Sequence, residues 1–171
     1  MSTTHPAALA DEQLLADCEV RRQRVRGPGG QHRNKVETGI ALTHVPSGIQ
    51  ATASERRSQA ENRQAALFRL RLRLAVQIRT PMDQRTPSPS PLWQSRCQGR
   101  SLRVNVEHRD FPTLLAEALD AVAAAEFDLA PAADHLKVSP SQLARFLQQE
   151  SEAWQQVNAE RRQRGLRPLA R

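Results

Sequence analysis

Cysteine is scarce in this chain, and long apolar runs are absent. Only Cys18 and Cys97 occur among the 171 residues, and they lie far apart. Two distant cysteines supply neither a disulfide framework nor a CxxC metal-binding knuckle. No run of about 18 apolar residues is found, and the first residues lack the basic and apolar blocks of a secretory signal. We therefore expect a cytoplasmic protein that does not enter a membrane.

Acidic residues are the minority among the charged ones. The chain has 25 basic and 18 acidic residues, a net charge of +7 and a sequence pI near 11.0. Residues 1–80 contain 13 basic and 7 acidic residues, whereas residues 81–171 contain 12 and 11. This distribution favours a polyanionic partner that binds the N-terminal half. Arginine accounts for 23 of the basic residues, which suits bidentate phosphate contact but also follows from a GC-rich genome.

Familiar hydrolase signatures are missing as well. The chain contains no HExxH, no paired-carboxylate signature and no Ser/His/Asp grouping that the spacing would reveal. Its five histidines are scattered along the sequence: His5, His32, His44, His108 and His135. We expect no metal and no cofactor.

The N-terminal part predicts an α+β fold. Residues 11–18 resemble a short helix, residues 19–26 a strand, and residues 39–44 and 49–53 two strands around a turn. Residues 55–79 alternate as a strand would, yet they also carry a helical apolar stripe. Their Glu-, Gln-, Ala-, Leu- and Arg-rich composition favours a long helix, which Ser54 or Ser58 would cap. Residues 1–79 are therefore predicted to be one small domain.

Prolines concentrate in the next segment, which we predict to be a linker over residues 80–100. Residues 101–160 predict a small helical module, with helices at 112–125, 129–136, 140–149 and 150–162 and no assignment for 102–110. Its predicted core contains Leu129, Ala133, Leu136, Val138, Leu143, Phe146 and Leu147, with Trp154 or Val157 closing over it. An Arg-rich tail, residues 161–171, follows.

The middle helices of this module have a helix-turn-helix pattern. Duplex DNA binding is disfavoured, because Arg145 is the only basic residue of the second helix. Docking to protein or rRNA and plain structural packing remain as alternatives.

The most informative stretch is a glycine-rich loop over residues 26–35, Arg-Gly-Pro-Gly-Gly-Gln-His-Arg-Asn-Lys. Three glycines in four residues permit positive φ angles and allow backbone N–H groups to point at an oxyanion or a phosphate. The loop lacks the Gly-Lys-Ser/Thr ending of a Walker loop and the GxGxxG of a dinucleotide fold. Composition alone allows an ordinary surface turn as the alternative.

Two later blocks distinguish between these alternatives. They are Leu42-Thr43-His44-Val45-Pro46-Ser47-Gly48-Ile49 and Glu55-Arg56-Arg57-Ser58-Gln59, the latter followed by Asn62. Together with the glycine-rich loop, they resemble the catalytic domain of class I peptide chain release factors over roughly residues 15–79. Of the family's architectures, the chain is most similar to the short, codon-independent ribosome-rescue hydrolases, because it has no recognisable stop-codon recognition tripeptide.

The resemblance implies hydrolysis of the peptidyl-tRNA ester in the peptidyl transferase centre. Gly29 and Gly30 would permit the backbone path of the loop, and the Gln31 backbone N–H would stabilise the oxyanion at the ester carbonyl. The Gln31 side chain would position water, and proton transfer is assigned in this family to RNA. His32 would then support the loop rather than act as a base, together with Gly27, Pro28 and Asn34.

The resemblance and the charge distribution also predict an RNA interface. Its candidate residues are Arg21, Arg22, Arg24, Arg26, Arg33, Lys35, Arg57, Arg161, Arg162 and Arg164. The expected partners of a monomeric protein are the ribosome with its rRNA and the peptidyl-tRNA in the P site. Arg57, Ser58, Gln59 and Asn62 would hold the loop or touch rRNA, with a solvated helix start as the alternative. A non-catalytic ribosome-binding adaptor and a DNA-binding regulator are the competing functions.

Overall fold

The computed structural model describes residues 4–23, 38–82 and 89–170. These residues divide into two compact units. The N-terminal unit is Pro6–Leu74, and the C-terminal unit begins at Ala75 and also includes the N-terminal residues up to His5. Helices and antiparallel strands occur together, which confirms the predicted α+β class.

A three-stranded antiparallel sheet organises the N-terminal unit. Its strands are β1 (Cys18–Gln23), β2 (Gly39–His44) and β3 (Gln50–Ala53), in the order β1-β2-β3. Ile40 and Leu42 of the central strand are buried, and their partners on β3, Ala53 and Ala51, are buried as well. This period of two places one face of the sheet in the core.

The predicted turn between β2 and β3 is confirmed. The His44 carbonyl accepts a hydrogen bond from the Gly48 N–H at 2.8 Å, and Gly48 has a φ of 71°. The Ser47 hydroxyl lies 2.7 Å from His44 Nδ1. A glycine is suited to this position because its φ lies in the left-handed region.

Three helical segments complete the unit: a short 3-10 helix (Pro6–Ala8), α1 (Asp11–Ala16) and α2 (Gln59–Gln77). The choice of helix for residues 55–79 is confirmed, although α2 begins four residues later and ends two residues earlier. Ser58 caps it, because its hydroxyl accepts from the Glu61 N–H at 3.4 Å. Leu70 and Leu74 of α2 are fully buried.

The C-terminal unit contains five helices among its described residues, with a two-stranded hairpin after the first. The elements are α3 (Pro91–Arg96), β4 (Cys97–Gln98), β5 (Ser101–Leu102), α4 (Phe111–Ala124), α5 (Leu129–His135), α6 (Pro140–Gln148) and α7 (Ser151–Gln163).

Part of the segment predicted to be a linker is regular structure. Residues 91–98 form α3 and β4, because Ser90 accepts from the Trp93 N–H at 3.1 Å and Pro91 occupies the first helical position. A serine followed by proline is common in linkers and equally suited to starting a helix.

Every residue predicted for the core of the module is buried: Leu129, Ala133, Leu136, Val138, Leu143, Phe146, Leu147, Trp154 and Val157. The sequence did not identify the residue that connects this core to α3. Trp93 is fully buried, donates from Nε1 to the Leu136 carbonyl at 2.9 Å, and packs edge-on against Phe146 with ring centroids 5.8 Å apart.

The residues after α7 fold back onto their own unit. Gly165, with a φ of 70°, ends the helix. Farther on, the Leu169 N–H donates to Oδ1 of the buried Asn158 at 2.7 Å. The described part of the predicted tail is therefore fastened by hydrogen bonds within its own unit.

Candidate functional site

The glycine-rich loop lies within residues 24–37, which are outside the described residues. Several predicted site residues therefore have no described position: Arg24, Arg26, Gly27, Pro28, Gly29, Gly30, Gln31, His32, Arg33, Asn34 and Lys35. The structure does describe the residues that flank this segment on both sides. We call Gln23, Thr38 and Gly39 the loop root.

Gly39 is required by a close backbone approach at the loop root. It pairs with Gln23 in the last register position of the β1–β2 ladder. A Cβ atom at Gly39 would lie 2.9 Å from the Gln23 carbonyl oxygen and 3.4 Å from Ser54 Cβ. Because the nearer atom belongs to the backbone, a side chain at this position would push the two strands apart.

Asn62 joins the loop root to the start of α2. Its side-chain amide donates to the Thr38 carbonyl at 2.7 Å and to the Arg56 carbonyl at 2.9 Å, and its Oδ1 accepts from the Arg56 N–H at 2.9 Å. The residue has a solvent exposure of 0%. For Asn62, the alternative of a solvated first turn is therefore wrong.

The arginines of α2 serve different purposes. Arg69 donates to the Thr52 carbonyl at 2.7 Å and contacts both Glu55 carboxylate oxygens, while Arg73, one turn later, donates to the Gln50 carbonyl. Both side chains thus bind backbone oxygens of strand β3.

Arg71 lies between them in sequence but has a different environment. It is buried, and it donates to the Ala7 carbonyl at 2.8 Å and to Asp11 at 2.7 Å. Arg69, Arg71 and Arg73 therefore hold the unit together.

Other arginines keep their guanidinium groups available. Arg22, Arg57 and Arg63 are exposed and have no side-chain partner among the described residues. Their sequence neighbours are Gln23, Arg56 and Asn62, respectively: Gln23 belongs to the loop root, Asn62 binds it, and Arg56 is bound to Asn62. Arg21, also exposed, contacts Glu19 at 3.3 Å.

Strand β1 adds to the exposed surface beside the loop root. All of its residues after Cys18 are exposed, and Val20 retains 45% of its accessible surface. A strand that carries arginines and buries little of itself offers contact area for a partner.

Two neighbouring groups hold Glu55, which follows β3 in the sequence, in its ionised form. The Ser54 N–H donates to the Glu55 carboxylate at 2.9 Å, and Arg69 contacts the same group. Together they lower the pKa of Glu55 from 4.5 to about 2. Glu55 therefore stays ionised at neutral pH and is a structural anion rather than a proton donor.

The described histidines do not form a catalytic or metal-binding group. His5 binds the Ile78 carbonyl, and burial lowers the pKa values of His5 and His44. Within the described ranges, no set of three or more His, Cys, Asp or Glu residues is placed to hold a metal ion. Among the same residues, no helix is long and apolar enough to cross a membrane.

Two of the three predicted RNA-binding residues at the end of the chain have intramolecular partners. Arg161 donates to the carbonyls of Phe127 and Arg167, and Arg164 pairs with Glu160 and lies over the Phe127 ring at 4.5 Å. Arg162 is exposed, and its side chain has no partner in the part of the chain that the structure describes.

Comparison with known proteins identifies a family to which this chain is similar. The family model described as the RF-1 domain matches residues 14–104. The chain is 46% identical over 59 residues to peptide chain release factor 1 of Symbiobacterium thermophilum, covering 34% of this chain and 17% of the relative.

Two further relatives give similar values. Peptide chain release factor 1 of Chlorobaculum tepidum is 43% identical over 74 residues, covering 39% of this chain and 21% of the relative. The chloroplastic peptide chain release factor PrfB1 of Arabidopsis thaliana is 43% identical over 60 residues, covering 35% and 13%. The chain therefore spans about a fifth or less of the length of these relatives.

Proposed function

Because the chain belongs to the RF-1 domain family, whose model matches residues 14–104, we propose that it hydrolyses the ester of peptidyl-tRNA on the ribosome. The observation that carries the proposal is the sequence Gly29-Gly30-Gln31 within that match. Release without a stop codon is the finer part of the proposal. It is supported by the sequence, in which no stop-codon recognition tripeptide is recognisable.

In the proposed reaction, the main contribution of the protein is one well-placed backbone amide. The Gln31 N–H donates a hydrogen bond to the oxyanion that develops at the ester carbonyl, and the Gln31 side chain orients the attacking water. Gly29 and Gly30 allow the backbone to approach the ester without a Cβ in the way. His32, Asn34, Gly27 and Pro28 support the loop.

A fixed loop root favours this mechanism. An oxyanion donor is effective only when it is held in place before the reaction, since misplacement by about 1 Å can cost about 100-fold in rate. The close Gly39–Gln23 pair and the Asn62 hydrogen bonds restrain both described ends of the segment that contains Gln31.

The proposed partner is the ribosome with peptidyl-tRNA in its P site. Arg21, Arg22 and Arg57 are exposed near the loop root and are suited to contact rRNA phosphates, as are the basic residues of the loop itself. The C-terminal unit supplies Arg162 as a further candidate contact.

The proposal is tested by peptide release from ribosomes that hold peptidyl-tRNA, with a sense codon, a stop codon or no codon in the A site. We expect comparable release from all three complexes. Gln31→Pro, which removes the N–H, should lower the release rate by about 100- to 1,000-fold. Gln31→Ala, which keeps the N–H, should lower it less.

Gln64→Ala, which alters an exposed glutamine of α2, is the matched control and should release peptide normally. Unchanged release by Gln31→Pro would overturn the role of the Gln31 amide. A wild-type protein that binds ribosomes but releases nothing would instead establish the adaptor function.

A further inference from the structure

We propose that Asn62 is a positioning residue for the release reaction: it sets the place from which the glycine-rich loop departs. The inference rests on the proposed function. It arises from the contacts of one buried side chain, which joins the Thr38 carbonyl to both backbone groups of Arg56.

The hydrogen-bonding capacity of Asn62 matches its surroundings closely. A carboxamide has two N–H donors and one oxygen acceptor, and all three functions are used here at 2.7–2.9 Å. Aspartate has the same shape but, when ionised, no donor. Serine has one donor only. Asparagine is therefore the residue of this size that satisfies two carbonyls and one N–H together.

The location of these bonds connects them to the reaction. Thr38 is the first described residue after the glycine-rich loop, and the next residue, Gly39, is packed against Gln23 on the other side of the root. Arg56 lies in the connection that leads from β3 into α2. Asn62 thereby fixes the chain at Thr38 to α2, the longest described helix of the protein.

A residue that only stabilises the fold would change release in proportion to the unfolded fraction. A residue that positions the loop lowers the rate at saturating factor while the factor still folds and binds. Asn158 provides the matched control, because it is also a buried asparagine with a backbone hydrogen bond, but it holds the chain end at Leu169.

The experiment compares wild type, Asn62→Asp, Asn62→Ala and Asn158→Ala in single-turnover release at a temperature where each is folded. Both Asn62 variants should lower the saturating rate by about 10- to 100-fold and change the half-saturating concentration by less than about threefold. Asn158→Ala should leave both quantities within about twofold. Asn62→Ser replaces any Asn62 variant that does not fold.

Hydrogen exchange provides a readout that does not need activity. Asn62→Ala should raise the exchange rates of the Arg56, Gly39 and Ile40 amides by about tenfold or more and leave α4 and α6 unchanged. Wild-type release by folded Asn62 variants, or unchanged exchange at these amides, would overturn the inference. An inactive wild type would overturn the proposed function, and the exchange result would still decide whether Asn62 fixes the root.

Discussion

At the scale of single residues, identical side chains on one helix have separate tasks. Arg69 and Arg73, one turn apart, bind carbonyl oxygens of β3, while Arg71 binds the Ala7 carbonyl and Asp11. The Arg63 side chain has no partner among the described residues. Charge alone does not identify an RNA contact, because an arginine that already binds backbone carbonyls of its own unit is costly to remove from them.

Arg71→Ala and Arg63→Ala should therefore affect different properties of the protein. Arg71→Ala removes the buried hydrogen bond to the Ala7 carbonyl and the bond to Asp11, and it should lower the free energy of unfolding by about 2 kcal/mol. Arg63→Ala should change it by less than about 0.5 kcal/mol and weaken binding to rRNA, with a shallower salt dependence. Urea unfolding and salt titrations of RNA binding measure the two effects. A destabilising Arg63→Ala or a neutral Arg71→Ala would contradict this division.

At the scale of elements, the pairing of β1 with β2 depends on Gly39, a glycine that lies in a strand rather than in a turn. The ladder places Gly39 opposite Gln23, and the space for a Cβ is occupied by a backbone oxygen at 2.9 Å and by Ser54 Cβ at 3.4 Å. Because the paired strands are closely packed, a clash at Gly39 would also displace the neighbouring residue pairs of the β1–β2 ladder.

Gly39→Ala should destabilise the protein by about 1–3 kcal/mol through overpacking and reduce peptide release. Ser54→Gly in the same chain should not rescue it, because the closer contact is with the Gln23 backbone. Thermal unfolding and release of the single and double variants measure this. A coupling energy above about 0.5 kcal/mol between the two substitutions would show that the Ser54 side chain is the true obstacle.

Elements that depend on local patterns were predictable from the sequence. Strand β2 matches residue for residue, the turn at 45–48 matches, and Ser58 caps its helix as expected. These features follow from apolar period, turn chemistry and capping, which operate over a few residues.

Features that depend on distant partners were not predictable in this way. Asn62 binds a carbonyl 24 residues away, and Trp93, which lies in the segment predicted to be a linker, binds one 43 residues away. The sequence predicted the loop root only approximately, because its hydrogen bonds connect segments that are distant in the sequence and share no local pattern.

At the scale of the whole molecule, the two units respond differently to acid. In the N-terminal unit, the depressed pKa of Glu55 contributes stability above the ordinary value of 4.5 that is lost as pH falls towards about 2. In the C-terminal unit, Asp120 accepts from the Thr80 N–H at 3.1 Å and lies 3.6 Å from Arg79. Burial nevertheless raises the pKa of Asp120 from 3.8 to about 6 and lowers the pKa of Arg79.

The sign of the Asp120 effect follows from proton binding. Between pH 4 and pH 6 the folded state holds this proton more tightly than the unfolded state, so the carboxyl lowers the stability of the unit as pH rises through that window. Above about pH 7 the contribution is constant, because Asp120 is ionised in both states. Desolvation outweighs the attraction to Arg79, as is common for partly buried ion pairs.

Asp120→Asn removes this titration and provides the test. The stability of wild type relative to Asp120→Asn should fall by on the order of 2–3 kcal/mol between pH 4 and pH 7. Tryptophan fluorescence during urea unfolding follows the C-terminal unit specifically, because Trp93 and Trp154 are the only tryptophans of the chain and both belong to that unit. His5, whose pKa is lowered by burial, titrates in both proteins, so that the comparison isolates the carboxyl. A difference that stays constant or rises with pH would mean that Arg79 outweighs desolvation and keeps Asp120 ionised throughout.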